Sequence, residues 1–116
     1  MKYIKKYESV NKPQIGDYVI CEEINNNTTS THAIEINKYV MLHIGQIIKI
    51  FPPTSDLGVM YVVKYENLPN ELQNSFIFYD DIEHHDRRGF YTDEIKFYST
   101  NKKDLEDILL LKKYNL

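Results

Sequence analysis

The run VMYVVKYE at residues 59–66 places Val59, Tyr61, Val63 and Tyr65 at every second position. A spacing of two is that of one face of a β-strand, so these four residues predict a strand with a buried odd face. The even face passes from Met60 and Val62 to Lys64 and Glu66. Just upstream, IGQIIKIF at residues 44–51 is equally β-rich and stops at Pro52-Pro53, where no backbone donor exists for a ladder. TSDLG supplies the turn between the runs, and together they predict an antiparallel hairpin. Gly45 inside an apolar run marks either a bulge or a close backbone approach.

The same reading extends along the chain. IGDYVICEEI at 15–24 opens with Gly-Asp at a turn and continues as a strand through Tyr18, Val19, Ile20 and Cys21. Residues 25–42 start with polar turn formers and become apolar at Ile34, Ile36, Tyr39, Val40 and Met41. They are expected to form a long loop whose second part packs as one short helical turn. After Pro69, NELQNSF is expected to hold one helical turn. Residues 80–94 carry six acids against Arg87 and Arg88, which predicts an exposed connection or hairpin tip. FYTDEIKFYS reads as a strand, a tight turn at Thr92 to Glu94, and a last short strand with Ile95 and Phe97 on one face. Near the end, Asn101 is a helix cap with Asp104 three residues on, followed by Leu105, Ile108 and Leu109 at helical spacing. Lys112 and Lys113 fall in the last turn, where cations suit the helix dipole. About five short strands and a terminal helix predict a mainly β chain, a small antiparallel barrel over 15–98 with a C-terminal α-helix over 101–114. The first twelve residues, rich in lysine, read as an arm or an added edge strand.

A length of 116 suits one domain with one core. Cys21 is the one cysteine, which excludes an internal disulfide and thiolate zinc clusters. No apolar run approaches a membrane span, and the opening residues lack a secretory signal, so the expected location is the cytoplasm and no membrane partner is expected. The net charge of −3 argues against a protein whose main business is wrapping nucleic acid. Twelve Lys against two Arg, fourteen Ile, ten Asn and ten Tyr with a single Ala point to AT-rich codons. That bias fits a low-GC bacterium, one of its phages or a large DNA virus.

The order GDYV, IGQIIKI, YVVKYEN and DEI resembles the SH3-like barrels of the KOW and chromatin-type groups, and the chain is similar to small proteins of phages and AT-rich microbes. The resemblance covers residues 15–98 and implies a Gly-Asp opening the first strand, a bend at a glycine in the second, and a tight helical turn before the last. In place of the compact first loop of a KOW module the chain has a long insertion at 25–42, and the usual basic surface is missing.

Few residues suggest chemistry. His84, His85 and Asp86, with Asp80, Asp81 and Glu83, have metal-compatible side chains, but neighbours in a strand point to opposite faces, so a solvated loop is expected and no metal or cofactor is assigned. Cys21 with His32 or His43 would make a nucleophile and base only within hydrogen-bond reach, and a mid-strand cysteine reads instead as structural. No phosphate-cradling glycine loop is present, and the chain is read as no enzyme. Tyr61 and Tyr65 read as core, whereas Tyr3, Tyr7, Tyr79, Tyr91 and Tyr98 are candidates for the surface. The expected function is a non-catalytic protein–protein interaction module, a virion component or a modulator of a host factor. Tyr79, Phe90 and Tyr91 would anchor the partner beside Arg87 and Arg88. The alternative is a nucleic-acid binder using the lysine-rich arm with Lys102, Lys103, Lys112 and Lys113, its tyrosines stacking on bases.

Overall fold

The computed structural model describes residues 12–24, 31–78 and 83–113. The Gly-Asp turn forms as expected. Gly16 takes a positive φ of 96°, a conformation that glycine adopts without a Cβ penalty. Asp17 is buried and its carboxylate accepts the Gln14 amide at 2.9 Å. The Ile47 amide donates to the Asp17 carbonyl at 2.9 Å, which ties the turn to the neighbouring strand.

Five strands follow: β1 (Tyr18–Cys21), β2 (Gly45–Phe51), β3 (Met60–Lys64), β4 (Arg87–Tyr91) and β5 (Ile95–Ser99). They form one antiparallel sheet in the order β4-β3-β2-β1-β5, with the predicted hairpin as the β2–β3 pair. A 3₁₀ turn at Thr92–Glu94 stands where the tight turn was expected. The Glu94 carboxylate accepts the Tyr91 amide at 2.9 Å and so fixes that corner.

Among the described residues there are also three helices: α1 (Thr31–Leu42), α2 (Asn70–Gln73) and α3 (Lys102–Lys113). The fold is therefore mixed α and β rather than mainly β. Nor does the sheet close into a barrel. β4 and β5 stand at its two edges, and the space that closure would fill is taken by α1 and α2. Ile36, Tyr39 and Val40 of α1 join Leu72 and Phe76 over Val19, Cys21, Ile47, Tyr61, Val63, Tyr65, Phe90, Ile95 and Tyr98 of the sheet side. Tyr39, Tyr65 and Phe76 meet edge to face, with centroids 5.6–6.0 Å apart. The odd face of β3 is buried as its spacing predicts.

Two bulges bend the sheet. On β2 the extra residue is Ile48, since Ile47 faces Val63 and Lys49 faces Val62. Gly45 serves a close approach instead, because a Cβ there would lie 2.3 Å from Cγ1 of Val63. On β5 the extra residue is Lys96, with Phe97 opposite Ile20 and Ile95 opposite Cys21. That shift sends Ile95 and Phe97 to different faces, not to one as the alternation suggested.

On the outer face of the sheet α3 lies against β5 and β1, with Leu105 and Ile20 fully buried. Its start is tied down by Asn101, whose side chain accepts the Lys103 amide at 3.0 Å, and by Asp104, which accepts the Ser99 hydroxyl at 2.8 Å. α3 does not reach the outer face of β2, β3 and β4, where Val62 is buried and Phe78 packs against Phe51 and Gly89. Among the described residues no helix is long and apolar enough to cross a membrane.

Candidate interaction face

Strand register sorts the outward residues of β2, β3 and β4 into three rows. Gln46, Lys64 and Arg87 lie side by side, then Lys49, Val62 and Gly89, then Phe51, Met60 and Tyr91. The last row is apolar. With Pro52 and Leu57 it lines a groove of about 300 Å³ at the end of the β2–β3 hairpin. Leu57 is 49% exposed there. Phe51 stacks on Phe78 at 5.7 Å, and the Lys49 ammonium lies 4.9 Å from the Phe51 ring centre. The middle row is covered: Val62 is buried, and Met60 and Phe78 close over Gly89, where a Cβ would lie 2.6 Å from both the Met60 sulfur and the Phe78 ring.

The five residues assigned to partner binding from sequence separate under this register. Tyr79 lies outside the described residues. Arg87 and Tyr91 sit on the outer face and are half-buried, with Arg87 3.6 Å from the Asp86 carboxylate. Phe90 is fully buried, because its place in β4 turns it inward opposite Tyr61, so it is a core residue and not a surface anchor. Arg88 shares that inner side. Its Nε donates to Glu23 at 2.5 Å and its Nη1 to the Ser75 carbonyl at 2.7 Å, with the guanidinium 5.5 Å from the Phe76 ring centre. Arg88 thus joins β4 to the exit of β1 and to the segment after α2. Phe51, Leu57 and Met60 were not singled out from sequence, although the even face of VMYVVKYE and the Pro-Pro stop already placed Met60 beside a strand end.

The other candidates disperse. Tyr98 is buried, not a surface platform, and Tyr3 and Tyr7 lie outside the described residues. Lys103 pairs with Asp107 at 3.2 Å on the exposed side of α3, and Lys112, on the opposite side, lies 5.9 Å from the Phe97 ring centre. Asp80 and Asp81 fall outside the described residues, among which no cluster of three or more His, Cys, Asp or Glu is arranged to hold a metal ion. Cys21 is completely buried, and desolvation pushes its thiol pKa far above the ordinary 9.0, against a smaller lowering influence of Tyr65. A thiol in that state stays protonated and is a poor nucleophile. His32 is bound to the Ser75 hydroxyl, and His43 Nδ1 to the Tyr39 carbonyl at 2.8 Å at the end of α1. The Tyr65 hydroxyl is buried with no nitrogen or oxygen partner and faces the Cys21 thiol; burial raises its pKa well above 10.0.

A second concavity, a cleft of about 390 Å³, opens between the sheet, the end of α1 and α3. Lys64 and Lys102 line it together with Glu66 and Glu106, so its formal charges cancel. Comparison with protein-family models, curated proteins and solved structures gives no match to this chain.

Proposed function

We propose that the chain is a non-catalytic protein-interaction module that binds a partner through the apolar groove at the end of the β2–β3 hairpin. Its framework resembles the strand arrangement of SH3-like domains, left as an open five-stranded sheet. The strand order, the bulge in β2 and the 3₁₀ turn before β5 support that resemblance. The observation that carries the functional reading is the apolar groove lined by Phe51, Pro52, Leu57, Met60 and Tyr91, where Leu57 is 49% exposed. Such a recess suits one bulky apolar side chain of a bound segment. The buried, protonated Cys21 thiol supports the non-catalytic half of the reading.

Panning a random peptide library against the whole chain tests this. The expected result is a set of peptides that compete with one another and lose binding to Met60→Lys, a variant that keeps the native melting transition. Peptides that bind Met60→Lys as well as wild type would overturn the assignment of this face, as would a library that yields no binder.

A further inference from the structure

The cleft between the sheet, the end of α1 and α3 is built differently from the groove. Tyr18, Leu42, Ile44 and Leu109 give it apolar lining, and Leu42 is 54% exposed there. Two of its neutral polar side chains are already engaged. His43 Nδ1 donates to the Tyr39 carbonyl at 2.8 Å, and the Gln46 side-chain amide donates to the Gly16 carbonyl at 3.0 Å. Its charges are not engaged. Lys64 and Glu66 stand on the sheet wall, at and just beyond the end of β3, while Lys102 and Glu106 stand four residues apart on the α3 wall. Among the described residues none of these four is in an ion pair, although Lys103 and Asp107, their neighbours on α3, form one. Each wall therefore presents one free cation and one free anion. Four helical residues rise by about 6 Å and two extended residues by about 6.6–7 Å, so the two walls space their charges alike.

We infer that this cleft is the seat of a second copy of the chain, docked about a two-fold axis. A strongly acidic partner would bring its carboxylates against Glu66 and Glu106, and a strongly basic one would bring its cations against Lys64 and Lys102. A partner that satisfies all four must carry both signs at the interval the walls set, and the chain's own cleft does so. A two-fold contact places the same patch on both sides and so requires a self-complementary one. The α3 wall of one copy meets the sheet wall of the other, Lys102 against Glu66 and Glu106 against Lys64, and each pair occurs twice. Leu42 and Leu109 are covered between them. The whole chain carries a net charge of −3, so two copies repel on average, but the cleft is formally neutral and adds nothing to that repulsion. Exposed ion pairs contribute little affinity singly, so the apolar contact holds the dimer and the charges fix its orientation. The cleft shares no lining residue with the groove, and the dimer leaves the groove open to its own partner.

Sedimentation equilibrium of the full chain, from nanomolar to submillimolar concentration, tests the inference. The wild type is expected to show a monomer–dimer equilibrium. Lys64→Glu/Lys102→Glu leaves only carboxylates among the cleft charges, and Glu66→Lys/Glu106→Lys leaves only ammonium groups. Each variant alone is expected to dimerise at least tenfold more weakly than wild type, and an equimolar mixture of the two is expected to sediment as a dimer again. Leu42→Lys should weaken the dimer as well, whereas Met60→Lys in the groove should leave it unchanged. Rising salt should loosen the wild-type dimer, a readout that stands even where a charge variant fails to fold. A wild type that stays monomeric over the whole range would overturn the inference. So would a dimer that both charge variants keep at full strength or that salt does not touch, or two folded variants that remain monomers when mixed. A dimer lost in Met60→Lys but kept in Leu42→Lys would move the contact to the groove and overturn the assignment of the cleft.

Discussion

At the scale of single residues, two glycines do related work with different tolerance. A Cβ at Gly45 would meet Cγ1 of Val63 at 2.3 Å and the Tyr65 ring at 3.0 Å, and both neighbours are buried and have no room to move. At Gly89 the obstacles are the Met60 sulfur and the Phe78 ring edge, both on half-exposed side chains that can swing outward. Gly45→Ala is therefore expected to cost about 1–3 kcal/mol in a denaturant titration, as overpacking of a filled core does. Gly89→Ala is expected to stay within about 1 kcal/mol of wild type, since the added Cβ also removes backbone freedom from the unfolded chain. Equal losses would mean that the outer face is packed as rigidly as the core. Arg88 makes a comparable distinction. Arg88→Met deprives the Glu23 carboxylate and the Ser75 carbonyl of their donors and should cost about 1–3 kcal/mol. A double-mutant cycle with Glu23→Gln should return a coupling energy above about 0.5 kcal/mol. Additive effects would reduce the pair to a surface contact. The inward role of Arg88 was not legible from RRG alone. Which of two adjacent arginines turns inward depends on the register of β4 against β3, and a sequence does not state register.

Elements were legible where the local signal and the tertiary demand agreed. The C-terminal helix is an example, because Asn101, Asp104 and the Leu105, Ile108 and Leu109 spacing all mark the same start. Asn101→Ala is expected to lose about 1 kcal/mol, the usual effect of removing an N-cap acceptor. Asp107→Asn, which breaks the exposed ion pair with Lys103 four residues away, should change stability by less than about 0.5 kcal/mol. Calorimetric midpoints of the two variants check the order, and a larger loss at Asp107 would contradict it. α1 was underestimated for a physical reason. Its buried residues Ile36, Tyr39 and Val40 have helical spacing, yet isoleucine, valine, tyrosine and asparagine are indifferent helix formers. What holds this segment helical is burial against β1 and the aromatic cluster, together with the stacking of Tyr39 on His43 at 3.8 Å. The outward turn of Phe97 was hidden in the same way, since a one-residue bulge leaves no mark in the sequence except the residue it displaces.

At the scale of the whole molecule, burial of ionisable groups sets how stability responds to alkali. Cys21 and Tyr65 lie in the same core, and desolvation raises both pKa values above their unfolded values of 9.0 and 10.0. Tyr39 is raised as well, by burial. Each group holds its proton more tightly in the folded chain. The stability this represents is complete below the unfolded pKa and is lost as pH rises through the window up to the folded one. Cys21 and Tyr65, both fully buried, each add a slope of up to about 1.4 kcal/mol per pH unit while only the unfolded form is deprotonated, and Tyr39, less buried, adds less. The denaturation midpoint should thus be insensitive to these groups below about pH 8 and fall with increasing steepness above the unfolded thiol and phenol values. Cys21→Ala is expected to start from a lower midpoint, because it leaves a small cavity, and then to decline less steeply with pH because only the tyrosines remain. An unchanged slope would assign the alkaline loss to other groups. The same burial predicts that a thiol reagent labels Cys21 no faster than the protein opens, so labelling and unfolding rates should converge as denaturant is added. Rapid labelling of the folded chain would place the thiol at the surface. That result would remove both the alkaline argument and the support that a protonated Cys21 gives to a non-catalytic role.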